Sequence, residues 1–336
     1  MSPKLITVFG ATGAQGSSVV RSLQQNKSKS FAVRGITRNP ASESATKLAN
    51  QGVEVVKADG WDKESLVAAF RGSWGVFANT NSDDAVFESP NETRTELDLG
   101  KIIVDAAAAA GVEVFVYSGM ASAREASGGK VPVDAFDHKH AIGEYARSIG
   151  AFKAVVIVSA GWYFENFLIQ DIAPLFGGFP FTPSEDGTFV FRSPKWGGEE
   201  DVPFIAMADD YGDIVHGIFL EPEKWASEST LVQGVSDIKS LDEVTEAFEK
   251  ATGKKSRFEA IPNWQDLEVY GIRALETVKG MFGFCQASGG RYYGVKTERG
   301  TAAELKKKAA VACGKSGEEA SLLSLEQYFK REFGGK

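Results

Sequence analysis

Short, almost wholly apolar runs alternate with amphipathic stretches along the first half of the chain. The alternation predicts strand, helix, strand, repeated. The apolar runs are Leu5–Phe9, Phe31–Thr37, Val53–Val56, Trp74–Ala78, Val112–Tyr117 and Ala154–Val158. Between them the helical period predicts helices over Ala14–Gln25, Ala41–Gln51, Asp62–Arg71, Asn91–Ala110 and Ala135–Ile149, with Gly111 and Gly150 as stops. Strands this apolar must be covered on both faces, which requires a parallel sheet with helices on each side, a doubly wound α/β fold. Its ligand belongs beyond the carboxyl ends of the strands, where strand order reverses. Gly10–Gly16, Arg38, Asn79, Ser118 and Ser159 fall at or just past such ends.

The rhythm loosens after about Ala160. Gly161–Leu175 carries an apolar, helix-like run, and Gly177–Trp196 reads as a loop or lid with a short strand at Phe189–Arg192. Helices are expected at Asp209–Leu220, Ser240–Ala251, Trp264–Gly280 and Ser324–Phe333, and strands at Thr230–Gly234 and Arg257–Ile261. Ser240 and Glu243 have capping-box spacing. Gly300–Glu319, rich in Ala, Lys, Gly and Glu, reads as a mobile surface segment. The expected division is a nucleotide-binding Rossmann-type domain over 1–160 and a smaller α+β part over 161–336 that walls the substrate side.

The first strand ends in Gly10, followed by Gly13 and Gly16 at the start of a helix. Gly10 permits a tight turn, Gly13 a close approach of backbone to a pyrophosphate, and Gly16 close packing of helix on strand. The spacing is G-x-x-G-x-x-G. Thr12, Ala14 and Gln15 complete the turn, and the helix N-terminus offers free N–H groups to an anion.

The second strand ends Thr37-Arg38-Asn39 with no acid to hold a ribose 2′-hydroxyl. Arg38 suits a 2′-phosphate by a charge-assisted contact, with Thr37 and Asn39 as neutral partners, so NADP(H) is expected over NAD. Asp59 and Gly60 are expected near the adenine, and the polar segment Asn79–Ser89 is expected to pass over the cofactor, with Asn79 and Thr80 as its contacts. Asp83 and Asp84 read as solvated.

Reducing a carbonyl with a nicotinamide needs a proton donor near the hydride acceptor. Short-chain dehydrogenases place a Tyr-x-x-x-Lys pair on the helix after the fifth strand. Here Lys139 is present, and four residues earlier stands Ala135. Lys139 can hold a ribose, or act as an acid if burial lowers its pKa. His138 and His140 flank it, as surface residues or as groups titrating near neutrality; their i,i+2 spacing is poor for a metal, and none is expected. Tyr163, just past the sixth strand, either supplies the proton that Ala135 cannot or packs beneath the second part.

Composition bounds the rest. The 336 residues carry a net charge of -8 with 43% hydrophobic side chains, and an acidic surface argues against gripping nucleic acid directly. Two cysteines make a disulfide framework unlikely and fit a reducing compartment. The chain opens on its first strand with no leader expected, and no apolar run reaches membrane-spanning length. A cytoplasmic location follows, with the nucleus as a second compartment.

GATGAQG, ITRNP, FDHK and Trp162-Tyr163-Phe164-Glu165-Asn166 together resemble the NmrA-like family of atypical short-chain dehydrogenases, from Lys4 to roughly Leu275. The motifs lie nearest its NADP(H)-sensor branch. The resemblance implies NADP(H) in the glycine site, Arg38 on the 2′-phosphate, Lys139 at the ribose, and Tyr163, Phe164, Glu165 and Asn166 along the nicotinamide pocket. Ala135 is itself a family trait. The tail beyond Leu275, with Cys285, Arg291-Tyr292-Tyr293 and Gly314, departs from the pattern. Two functions stay open. The favoured one is an NADP(H)-dependent oxidoreductase, or a redox-neutral enzyme using the cofactor as scaffold, acting on an apolar small molecule. The aromatic segment Phe176, Phe179, Phe181, Phe189 and Trp196 points to such a ligand, though core packing explains it equally. The alternative is an NADPH/NADP+ sensor that regulates a protein partner without turnover. An oligomer is compatible with either.

Overall fold

The computed structural model describes residues 2–89, 92–226 and 231–335. The first half runs β1 (Lys4–Val8), α1 (Ala14–Gln24), β2 (Phe31–Thr37), α2 (Glu43–Asn50), β3 (Glu54–Lys57), α3 (Lys63–Phe70), β4 (Gly75–Ala78), α4 (Glu96–Ala109), β5 (Val114–Ser118), α5 (Ala123–Ala126), α6 (Asp134–Ser148) and β6 (Ala154–Ala160). The second half adds β7 (Trp162–Tyr163), β8 (Phe189–Pro194), β9 (Val202–Ile205), α7 (Gly212–Leu220), α8 (Pro222–Ala226), β10 (Val232–Gly234), β11 (Asp237–Lys239), α9 (Leu241–Thr252), β12 (Ser256–Ile261), α10 (Arg273–Ser288), α11 (Gly300–Cys313) and α12 (Leu325–Phe333).

Seven strands form the central sheet in the order β3-β2-β1-β4-β5-β6-β10, every pairing parallel. Strand order reverses between β1 and β4, and a ligand crevice opens there. Alternation along the strands divides the core. Phe77 and Val116 face α1, α7 and α11, packed with Val19, Ile214, Val215 and Leu305. Val76 and Phe115 face α3, α4 and α6, packed with Phe70, Ile103 and Ile142. Both faces are covered, as the apolar runs require. The helices start where short polar side chains cap them: Ser42 before α2, Asp62 before α3, and Thr95 with Asp98 as a capping box before α4. Ser240 and Glu243 form the expected box before α9.

Four of the sequence expectations for the second half fail, and β9, α8 and β11 have no counterpart among them. The run Gly161–Leu175 is not one helix. It is β7 followed by two 3₁₀ turns, Phe164–Leu168 and Gln170–Phe176, the second holding Pro174, which has no N–H to donate. The aromatic segment is no lid. Phe176, Phe179 and Trp196 are buried in a third core with Trp162, Phe204, Phe248 and Phe282, and Phe181 and Phe189 pack against it. The helix expected at Trp264–Gly280 is displaced. A short turn at Trp264–Asp266 stops, Tyr270 and Gly271 take left-handed backbone, and α10 runs from Arg273 to Ser288. Gly300–Glu319 is not a mobile surface: α11 buries Ala302, Leu305, Ala309 and Ala310 against α7. Residues beyond 160 thus supply a strand and two covering helices to the central sheet as well as their own aromatic core. The expected strand start, Thr230, and the expected helix start, Asn91, lie outside the described residues.

A buried polar cluster joins α1, α7 and α11. His216 is fully buried, with Nδ1 3.1 Å from Ser22 Oγ and Nε2 3.1 Å from Asn26 Nδ2. Ser22 donates to Asp213, and Lys306 pairs with Asp210 and Asp213. Burial pushes His216 down to about 4, against the pull of Asp213 and with help from Lys315. The unfolded chain takes up this proton below about pH 6.5, the folded protein only near pH 4. The contribution is therefore intact above pH 6.5 and is lost as pH falls to 4, by up to about 3 kcal/mol. Urea midpoints measured across this range should fall less steeply in His216→Gln than in the unaltered protein.

Candidate functional site

The β1–α1 turn is shaped by two glycines. Gly10 has φ +76°. A Cβ on Gly16 would lie 2.2 Å from the Gly10 carbonyl oxygen, so the first turn of α1 sits directly on the end of the strand. Gly13 is different: a Cβ there meets only the Gly10 oxygen, at 3.4 Å, and its outer side faces the cavity. Among the described residues no side chain caps α1, and its first turn holds no acid, in contrast to the capped α2, α3 and α4. An uncapped N-terminus with unspent N–H groups is an anion site.

A cavity of about 820 Å3 opens over the carboxyl ends of β1 and β4. Of the residues singled out in the sequence, Gly10, Thr12, Gly13, Ala14, Gln15, Thr37, Arg38, Asn39, Asp59, Gly60, Asn79, Thr80, Lys139, Tyr163 and Asn166 line it, as does Ala135. Three do not. Gly16 lies beneath the turn. Phe164 is fully buried in the aromatic core against Phe204 and Tyr328. The Glu165 carboxylate accepts the N–H groups of Met207 and Ala208, at 3.1 and 2.8 Å, and so ties down the turn leading into α7. Neither the Phe164 nor the Glu165 side chain, both expected along a nicotinamide pocket, lines the cavity.

At one end Arg38 is exposed, its guanidinium 3.3 Å from the Asp84 carboxylate. Asp84 is thus paired across the cavity mouth and caps the 3₁₀ turn Ala85–Glu88, not free in solvent as expected. Farther in, Gln15 Nε2 donates to the Tyr163 hydroxyl at 2.7 Å. Burial pushes the Tyr163 phenol up, against the pull of the Gln15 hydrogen bond. The phenol therefore keeps its proton at neutral pH, and with its oxygen already accepting from Gln15 it is free to donate. Lys139 Nζ donates to Ser82 Oγ at 2.7 Å and pairs with Glu96, a buried acid. His140 stands 3.9 Å from Glu125, away from this cluster.

Sequence reasoning missed Glu96, which looks like an ordinary first-turn acid beside the Thr95 cap. It also missed the apolar wall of Met120, Phe136, Val278, Met281 and Tyr292. Much of that wall comes from the tail beyond Leu275, where Tyr292 and Tyr293 also reach back to the carbonyls of Ala160 and Gly234.

The fit to a dinucleotide is good on the chain's own terms. It offers an open helix N-terminus, a cavity-facing glycine, a cation at the mouth, and buried acceptors at Asn79 Oδ1 and Gln15 Oε1 with no partner among the described residues. No group of His, Cys, Asp or Glu side chains among the described residues is arranged to hold a metal ion, and no helix is long and apolar enough to cross a membrane. The model of the NmrA-like family matches residues 2–310. The chain belongs to the NmrA-like family. It is 48% identical to the NmrA-like family domain-containing oxidoreductase FrzB of Cladobotryum sp, over 98% of both chains. It is 46% identical to the oxidoreductase hkm9 of Aspergillus hancockii, over 98% of this chain and 97% of that one. The negative transcriptional regulator Nmra, solved in complex with NADP, shares the fold with a TM-score of 0.76 at 21% identity, over 99% of this chain and 96% of that one. Since the family match passes Leu275 and these relatives align end to end, the tail is no departure from them.

The two glycines should separate in a stability measurement. Gly16→Ala forces backbone apart and is expected to cost about 1–3 kcal/mol or more. Gly13→Ala, with φ -82° and room for a methyl, should cost under about 1 kcal/mol in the same denaturation experiment.

Proposed function

We propose that this protein is an NADP(H)-dependent oxidoreductase acting on an apolar small molecule. The observation that carries the proposal is the uncapped N-terminus of α1 at the head of a cavity whose other walls hold Arg38, Lys139, Tyr163 and an apolar face. The naming of relatives at 46–48% identity as oxidoreductases supports it. Nmra is recorded with NAD as well as with NADP, so the preference for NADP(H) rests on Arg38 and the absence of an acid at the end of β2.

In this reading the bound cofactor supplies or takes up hydride at its nicotinamide. The chain's own groups do the rest. The α1 N–H groups hold the pyrophosphate, Thr37, Arg38 and Asn39 the phosphorylated ribose, and Asp59 and Gly60 flank the adenine. Asn79 and Thr80 border the middle of the cofactor, Lys139 offers its ammonium to the second ribose, and Asn166 borders the nicotinamide end. Tyr163 donates a proton to the substrate through its free O–H, the task that Ala135 leaves undone. Met120, Phe136, Val278, Met281 and Tyr292 exclude water and select an apolar substrate.

One observation favours the second reading, an NADPH/NADP+ sensor regulating a protein partner: Ala135 removes the usual proton donor. Consumption of NADPH across a panel of ketones, imines and enones separates the two. Turnover is expected; full NADPH binding with no turnover on any acceptor would leave the sensor. Arg38→Ala should weaken NADPH binding about 10- to 100-fold and leave NADH binding unchanged by titration calorimetry. Tyr163→Phe should lower kcat at least about 100-fold while NADPH affinity stays within about threefold.

A further inference from the structure

Glu96 is buried behind the cavity wall and does not line it; it reaches the cavity through its partners, and its role follows only if the dinucleotide reading holds. Its Oε1 accepts from Lys139 Nζ and from the Thr80 hydroxyl, and Thr80 Oγ1 is 2.8 Å from the Tyr117 hydroxyl. Its Oε2 is buried with no hydrogen-bond partner among the described residues. The side chains of Glu96 and Lys139 are 3% and 14% exposed. A carboxylate so placed is costly without its cation, and breaking such a pair by removing one partner is strongly destabilising. Three elements converge on one nitrogen: α4 through Glu96, the segment after β4 through Thr80 and Ser82, and α6 through Lys139 itself.

We propose that Glu96 is the positioning residue of this site: its carboxylate pins the Lys139 ammonium in the cavity wall, so that Lys139 acts as a fixed positive charge toward the cofactor and not as a mobile amine. The groups facing Nζ agree. Burial pushes Lys139 down from the ordinary lysine range; the Glu96 charge and hydrogen bond oppose that push, and the Asp83 charge adds to the opposition. Tyr117 on β5 is pushed well above its ordinary range, first by burial and then by Glu96, and stays neutral. Glu96 therefore helps Lys139 keep its charge as pH rises, and general acid chemistry in the cavity falls to Tyr163.

The test is the pH dependence of NADPH affinity in the full chain, followed by titration calorimetry from about pH 7 to 10, with Tm recorded for each variant. Affinity in the unaltered protein should drop when Lys139 loses its proton, and Lys139→Met should lack that step. In Glu96→Gln the midpoint should fall by at least about one pH unit, leaving affinity at the pH of the unaltered midpoint about fivefold weaker than in the unaltered protein and affinity on the low-pH plateau within about threefold. Glu96→Asp, its carboxylate drawn back by one methylene, should fall between. A midpoint in Glu96→Gln equal to that of the unaltered protein, or a step that survives in Lys139→Met, overturns the proposal. If Glu96→Gln does not fold, Glu96→Asp decides: a lowered midpoint supports the role, and an unchanged one overturns it. Failure of the unaltered protein to bind NADPH overturns the dinucleotide reading and this role with it, whereas binding with unshifted midpoints overturns this role alone.

Discussion

Helix α1 is held in backbone contact on two sides, and the site depends on that grip. Gly16 seats it on the end of β1. On the other side Gly212 of α7 meets it where a Cβ would lie 2.1 Å from the Ser18 carbonyl oxygen. Then α11 stacks on α7 at Gly217, where a Cβ would lie 2.4 Å from the Leu305 oxygen. Close-packed interiors transmit displacement, so the position of the α1 N-terminus is fixed by layers that come from both halves of the chain. The helix start is left uncapped at the point where strand order reverses, and the fold therefore delivers a row of N–H groups, with no side chain to satisfy them, to the cavity.

The cavity is polar at one end and apolar at the other. Arg38, paired with Asp84, is exposed at the mouth, and an exposed pair of this kind is weak enough for a phosphate to compete with. The deeper groups are neutral or neutralised. Tyr163 keeps its proton through burial, and Lys139 is matched by Glu96. The deeper end therefore offers one hydroxyl donor and one ammonium matched by Glu96 beside Met, Val, Phe and Tyr side chains.

Much of this was legible in the sequence because it follows from local rules. The six apolar runs became the first six strands of the central sheet, with ends shifted by one or two residues. Gly10, Gly13 and Gly16 marked the turn, Arg38 the mouth, and Ser240 with Glu243 a helix start. What escaped depends on long-range packing. Phe164 and Glu165 sit in the same short motif as Tyr163, and nothing local distinguishes the residue that faces the cavity from its neighbours in the core and at the α7 turn. The left-handed pair Tyr270-Gly271 moved α10 along the chain and brought Val278 and Met281 to the cavity. The Ala- and Lys-rich α11 looked exposed because its buried lysine, Lys306, is matched by Asp210 and Asp213, nearly a hundred residues away in the sequence. Glu96 likewise gains its meaning only from Lys139, forty-three residues on.

The most direct test of the central claim, that one cavity carries an NADP(H) molecule with its reactive end against an apolar wall, is a crystal structure of the protein with NADP+ bound. The expected result has the pyrophosphate on the α1 N-terminus, the 2′-phosphate on Arg38, and an open face of the nicotinamide toward Met120, Val278 and Met281 beside the Tyr163 hydroxyl. A dinucleotide bound elsewhere, or a nicotinamide face sealed by side chains with no room for a substrate, would contradict it.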